Sequence, residues 1–488
     1  MLFNSYEFLF GFLPLAVAVY FIAGRFLPQT GMWPLAIASL GFYAWWEIRF
    51  LPILLVSVVF NFFAGRQIVA LVGAGRGKTA GTMLRLAILA NLLALAWFKY
   101  VTFLAGSLNA LLGLDLPQPD IALPIGISFF TFTQIAFLVD ASRGKVGETK
   151  PSEYLLFVTY FPHLIAGPIL HHAEMMPQFR APRARRPDFE SLAVGFTVFV
   201  IGLFKKLVLA DGAAPIADHG FAAASLGTAS ASVAWAGALG YAMQIYFDFS
   251  AYCDMAIGIS RMFNISLPAN FESPYKATSI VEFWRRWHMT LSRFLRDYLY
   301  IPLGGNRAGP TRRYANLLTT MLLGGLWHGA NWTFVAWGGL HGAYLIINHL
   351  WSQRRPPRPS TWYENLLGQG LTFIAVVVAW VFFRAANMAE AWQMLTAMAG
   401  LSQCNGACAA TPGGKVQLSL AVMFAIVWLA PNLRQIMAPH RLVLDGSGVD
   451  RTRLTWRPNL GWAIACLVLF AISLSQMVHI SQFLYFQF

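Results

Sequence analysis

Between Arg313 and Arg354 the chain carries no Lys, Arg, Asp or Glu. In a lipid setting, a backbone stretch of that length can satisfy its own N–H and C=O groups only as helix. The same pattern recurs along the whole sequence. Apolar runs lie near 8–24, 31–47, 50–64, 84–106, 121–140, 190–210, 230–260, 315–333, 334–351, 367–383, 416–432 and 459–480, close to the about 20 residues that a spanning helix needs. Some are short or interrupted by glycine, so about 11 or 12 spans are expected. With 57% hydrophobic and only 11% charged residues over 488 positions, and a mean hydropathy of +0.56, a soluble domain is excluded.

The reading is an all-α polytopic membrane protein forming a single membrane domain over 1–488. It divides into N-terminal spans over 8–140, a re-entrant segment over 152–176, a core over 190–351 and C-terminal spans over 367–480, around a central polar cavity. The net charge of +14 resides in short loops between apolar runs, where it orients helices, so no nucleic acid partner is expected. The first run has Arg25 after it and no basic residue before it, which is the reverse of a cleaved secretory signal and puts the N-terminus outside. Alternating from there, the basic loops at 66–85, 143–150, 276–313, 354–358 and 434–457 all fall on the cytoplasmic side. The stretches 112–120 and 211–228, without Lys or Arg, are read as outer loops.

The run 154–170 breaks the alternation, because Arg180, Arg183, Arg185 and Arg186 follow it. A re-entrant hairpin turning at Gly167-Pro168 restores the count, and such backbone is tolerated where protein encloses it. The stretch SIVEFWRRWHMTLSRFLRDYLY, 279–300, is too charged to span. Taken as one helix at roughly 100° per residue, it gathers Glu282, Arg286, Arg293 and Asp297 on one stripe and Phe283, Trp284, Trp287, Leu291, Phe294 and Tyr298 on the other side. It is expected to lie in the membrane plane, with His288 directed toward the bundle.

GAGRGKT at 73–79 imitates a phosphate-binding loop but has one residue too few between its glycines, and no strand precedes it. His163, His171, His172 and Glu174 are read as polar lining, and no metal site is expected. Asp248 and Asp254 lie on different helix faces, as proton relays or in structural pairs with Arg or Tyr. Cys253 and Cys466 read as small core hydrophobes, whereas Cys404 and Cys408 share a loop expected outside, where they could oxidise to a disulfide. His328, within MLLGGLWHGANWTF, is the strongest functional candidate. A titratable ring inside the membrane needs a job or a partner, and Gly324, Gly325 and Gly329 allow another chain or a ligand to approach. His341 reads as a weaker copy suited to packing.

Six ordered blocks carry a resemblance: LPIGISFFTFTQIAFLVD, FPHLIAGPILHHAEMMPQF, IYFDFSAYCDMAIGISRMF, NFESPYKATSIVEFWRRWHMTLSRFLRDYLYIPLGGNR, LLGGLWHGANWTFVAWGGLHG and VAWVFFRAANMAEA. Together the sequence resembles the membrane-bound O-acyltransferase family, closest to the branch that acetylates alginate and similar exopolysaccharides. The resemblance implies that His328 is the catalytic histidine, His288 the second polar site, and 190–351 the catalytic core. Trp284, Arg285, Trp287, Trp327, Asn331 and Tyr298, near these two histidines in sequence, are read as lining of the donor site or cavity.

No bound cofactor is implied. The acyl donor would come from the cytoplasm as acetyl-CoA, across a bacterial inner membrane whose lipid surrounds the protein, to an extracytoplasmic polysaccharide. The partner implied is a periplasmic SGNH-type acetyltransferase or other polysaccharide machinery, and the apolar closing segment HISQFLYFQF, 479–488, is a candidate docking point for it. Two rival classes are a transporter or flippase of a lipid-linked saccharide and a non-catalytic scaffold of an export complex. Against the transporter stands the lack of repeats and of paired intramembrane acids and bases.

Overall fold

Every apolar run of the sequence coincides with helix in the computed structural model, which describes residues 1–181, 186–307, 309–354, 361–402, 408–444, 452–477 and 481–484. No strand occurs among the described residues. Five helices are long and apolar enough to cross a membrane: Glu7–Phe26, Ile48–Gly73, Gly77–Leu112, Phe189–Ser225 and Trp362–Arg384. Three shorter apolar helices are Ile127–Ser142, Gly414–Leu429 and Leu460–Ser475. The helices Ala231–Met262, Gly309–His328 and Trp332–Arg354 are less hydropathic for a reason visible in their interiors. They bury polar side chains, among them Asp248, Asn316, His328 and His341.

The 32-residue helix Ala231–Met262 is the axle of the molecule. It packs against Phe189–Phe204, Asp211–Ser225 and Trp362–Arg384 and is buried around most of its circumference. Gly220 and Gly237 meet so closely across one of these contacts that a methyl group on either would collide with the other's backbone, a small-residue interface of the kind membrane helices use. The pseudo-phosphate loop at 73–79 is a helix-to-helix turn, with Gly73 ending one helix and Gly77 opening the next.

Two expectations need correction. The stretch 211–228 is not an outer loop: Asp211–Ser225 is helical and continues from Phe189–Phe204 through a π turn at Lys205–Ala210. Its alanine-rich sequence favours helix, and packing against Ala231–Met262 supplies the rest.

The stretch 279–300 is not one helix either. Ile280–Arg286 and Met289–Leu295 are separate helices, with His288 between them in the left-handed region at φ 43°. The cause is competition for backbone hydrogen bonds from a neighbouring strip of chain. Glu272 N–H donates to the Arg286 carbonyl at 2.9 Å and Met289 N–H to the Asn270 carbonyl at 3.0 Å.

Part of the closing segment is packed into the bundle. Phe483 and Leu484 are buried, and Ser481 Oγ donates to Asp211 at 2.6 Å. Residues 479–480 and 485–488 of that segment lie outside the described residues.

The chain does turn at Gly167-Pro168, between the helices Phe161–Leu164 and His172–Arg180. From Tyr154 to Leu170 nearly every side chain is enclosed by protein. Cys253 and Cys466 are free and buried. Cys408 is disulfide-bonded, and Cys404 lies outside the described residues, as do Arg183 and Arg185.

Candidate active site

His328 is the last residue of the helix Gly309–His328 and is 4% exposed. The glycines beside it are occupied by protein rather than held open for a ligand. A methyl at Gly325 would strike the Phe334 carbonyl, and one at Gly329 would strike the Phe334 ring. Their absence of side chain lets Trp332–Arg354 fold back tightly on the helix before it. This hairpin sets the His328 ring among Trp327 at 4.9 Å, Trp337 at 5.1 Å and Phe383 at 5.2 Å between centroids. The aromatic walls exclude water and fix the imidazole in position.

The helix end that presents His328 is held by a pair of residues the sequence reading missed. Lys99 Nζ donates to the Trp327 carbonyl at 2.6 Å and the His328 carbonyl at 3.2 Å, and Tyr100 donates to the Leu326 carbonyl at 3.0 Å. These are orphan carbonyls at the negative end of the helix dipole, where a cation is favoured. Both side chains come from a π turn, Ala96–Tyr100, a local irregularity that re-aims them. The signal was present: Lys99 is an ionisable residue inside an apolar run, as His328 is.

His288 is fully buried, and its ring centroid lies 6.4 Å from that of His328. A left-handed backbone at a residue with a Cβ is sparsely populated and tends to mark functional sites. Here it swings the ring inward from the break. Two cavities lie near this pair, and His328 lines the smaller of them. One, of about 150 Å³, is lined by His328, Trp327, Lys99, Ser128 and Trp46. The other, of about 520 Å³, is lined by Trp284, Arg285, Met289, Thr290, Arg293 and Arg296 among others, so the two residues that follow His288 stand in its wall.

The charges around the larger cavity differ in availability. Arg293 forks onto Glu174 through both terminal nitrogens, and Arg296 pairs with Asp297. Arg286 is held by Glu282. Burial alone would lift the Glu282 carboxyl, but hydrogen bonds from Thr278 together with Arg286 outweigh it and hold it below its usual range. Arg285 is exposed and has no ion-pair partner among the described residues.

Of the other expected lining residues, Trp284 borders the larger cavity and donates to His341 Nδ1 at 3.3 Å, giving His341 a packing and hydrogen-bonding role. Trp287 sits in the aromatic core, 4.9 Å from Trp380 and 5.0 Å from Phe271. Asn331 ties the turn after His328 to the Ala386 carbonyl at 2.8 Å. Tyr298 faces Asp140 at 2.8 Å and His171 at 3.2 Å.

No cluster of potential metal ligands occurs among the described residues. His163 bonds the Phe157 carbonyl, and His172 lies 3.5 Å from Asp140. The intramembrane carboxylates are paired with lysines, not with Arg or Tyr: Asp254 with Lys205 at 2.6 Å and Asp248 with Lys206 at 2.7 Å. Acid–base pairs therefore do exist inside the bundle, contrary to the expectation from sequence, which overlooked two lysines at the end of an apolar run.

Comparison with known proteins follows the same lines. The model of the membrane-bound O-acyltransferase family matches residues 77–389, a span containing both histidines and both cavities' principal walls. The peptidoglycan O-acetyltransferase of Helicobacter pylori is 39% identical, over 100% of this chain and 98% of its own length. The probable alginate O-acetylase AlgI of Azotobacter vinelandii is 40% identical over 100% of both chains. A teichoic acid D-alanyltransferase of Streptococcus thermophilus is 26% identical over 53% of this chain and 68% of its own. A helical fold that buries a histidine pair, the family match over residues 77–389 and two acetyltransferase relatives that match over the full length make this chain a member of the membrane-bound O-acyltransferase family and an acyltransferase.

Proposed function

We propose that this enzyme takes an acetyl group from acetyl-CoA on the cytoplasmic side of a bacterial inner membrane and delivers it for O-acetylation of a polysaccharide outside. The observation that carries the reading is the buried His288 and His328 pair, with His328 lining the smaller cavity and Met289 and Thr290, next to His288, lining a larger basic one. The names of the relatives, an acetylase of alginate and an acetyltransferase of peptidoglycan, support acetyl as the group and a cell-surface polymer as its destination. A disulfide at Cys408 agrees with a loop outside the reducing cytosol.

The chemistry needs a base near neutral pH and no metal. An acceptor hydroxyl attacks the thioester carbonyl while the His328 imidazole takes its proton. The carbon–sulfur bond breaks as the carbon–oxygen bond forms, and the proton passes from His328 to the departing thiolate. Arg285, the arginine of the larger cavity not committed to a carboxylate, meets the donor's phosphates. The acceptor enters by the smaller cavity, from a periplasmic SGNH-type acetyltransferase or the polymer itself. The Lys–Asp pairs support a structural rather than a relay role, because Asp248 and Lys206 are also bound by the backbone of residues 482–484.

The test uses purified protein in sealed vesicles with labelled acetyl-CoA on the face bearing Arg285. Label in an alginate or peptidoglycan acceptor on the opposite face is expected. Hydrolysis without transfer, or no consumption of acetyl-CoA, overturns the reading.

A further inference from the structure

We propose that Asn270 is a positioning residue that fixes the tautomer of His288, with the proton on Nδ1 and the lone pair on Nε2. The inference rests on placing His288 at the reaction site. It is carried by a network the sequence did not reveal. Asn270 Oδ1 lies 3.1 Å from His288 Nδ1, 3.2 Å from the Thr290 backbone nitrogen and 2.9 Å from Thr290 Oγ1. Asn270 Nδ2 points the other way, to Cys253 Sγ at 3.2 Å. Asn270, His288 and Thr290 are all buried.

The protons in this network can be assigned by elimination. A backbone N–H only donates, so the atom facing Thr290 N must be the amide oxygen of Asn270 and not its nitrogen. Ile169 N–H donates to Thr290 Oγ1 at 3.0 Å, which turns the Thr290 hydroxyl proton toward the same oxygen. His288 Nδ1 therefore meets an acceptor and must carry hydrogen. In the neutral ring Nε2 is then the basic nitrogen, so His288 accepts a hydrogen bond from an N–H or O–H of a substrate and does not donate to the acyl carbonyl.

The backbone makes the arrangement rigid. Met289 N–H donates to the Asn270 carbonyl at 3.0 Å, so Asn270 holds the His288 ring together with the backbone of the two residues that follow it, while Glu272 N–H holds the Arg286 carbonyl on the preceding side at 2.9 Å. The left-handed conformation of His288 is what allows its side chain and the following amide to reach one residue together. Ile169 belongs to the turn beyond Gly167-Pro168, so that segment also bears on the orientation of His288 through Thr290.

The experiment compares acetyl transfer from acetyl-CoA by purified full-length wild type, His288→Ala, Asn270→Asp, Asn270→Leu, Thr290→Ser and Thr290→Val. Asn270→Asp and Thr290→Ser keep the acceptor oxygen and the hydroxyl. They should hold kcat within about 10-fold, while Asn270→Leu and Thr290→Val lower it by about 10² with KM for acetyl-CoA unchanged. Equal loss in each conservative variant and its apolar counterpart, or loss that tracks a lower melting temperature, overturns the assignment. If Asn270→Leu fails to fold, the Thr290 pair decides. Wild-type transfer by His288→Ala overturns the placement of His288 itself, whereas an inactive His288→Ala beside a fully active Asn270→Leu overturns only the role of Asn270.

Discussion

Lys99 shows how much of the site depends on single groups that hold backbone in place. Its ammonium and the Tyr100 hydroxyl satisfy the carbonyls of residues 326–328, so the helix end carrying His328 has a fixed position. In Lys99→Met those carbonyls lose a charged donor in a buried place. A fall in stability of about 1 to 3 kcal/mol is expected, read as a lower melting temperature of the purified protein together with reduced transfer. Unchanged stability would show that the cap is dispensable. Arg285 behaves differently because it is exposed and uncommitted. Arg285→Gln should raise KM for acetyl-CoA by about 10-fold or more while leaving kcat near wild type, as expected for a lost charge-assisted phosphate contact; an unchanged KM would place the donor elsewhere. His328 was legible in the sequence because a titratable ring in an uncharged stretch stands out. Lys99 carried the same signal and was passed over, whereas Asn270 carried none, since its meaning comes from partners more than a dozen residues away.

At the scale of elements, the hairpin formed by Gly309–His328 and Trp332–Arg354 depends on bare backbone at the crossing. Gly325 faces the Phe334 carbonyl and Gly338 faces the Met321 carbonyl, each too near for a Cβ. Gly325→Val must push the two helices apart, with an expected cost of about 1 to 3 kcal/mol and loss of transfer even where protein still accumulates. Retention of full activity and melting temperature would mean that the crossing can relax. The existence of nearly all these helices was readable, because each buries an apolar run of the right length. The break at His288 was not. Periodicity treats 279–300 as an isolated helix, whereas the break is imposed by residues 270–272 taking its backbone hydrogen bonds. The helix Asp211–Ser225 was lost to a related error, in which the absence of basic charge was read as loop although alanine favours helix.

Across the whole molecule, the two ends of the chain are fastened together. Asn4 donates to the Ser481 carbonyl at 3.2 Å, Lys206 to the Gln482 carbonyl at 3.1 Å, and Leu484 N–H to Asp248 at 2.9 Å. The Phe483 ring lies under the Lys206 ammonium at 4.8 Å. The closing segment therefore completes a buried ionic cluster. Truncation before Ser481 should lower the melting temperature, and Lys206→Met should cost about 3 to 5 kcal/mol by leaving Asp211 and Asp248 without their cation. Wild-type stability in both would contradict this clasp. The central claim, that His328 is the base of acyl transfer and not a packing residue, is tested most directly by purifying His328→Ala beside wild type and measuring acetyl transfer and melting temperature on the same samples. The account predicts transfer lower by about 10² to 10⁴ in a protein that accumulates and melts as wild type does. A His328→Ala protein that still transfers acetyl, or that is inactive only because it no longer folds, would contradict it.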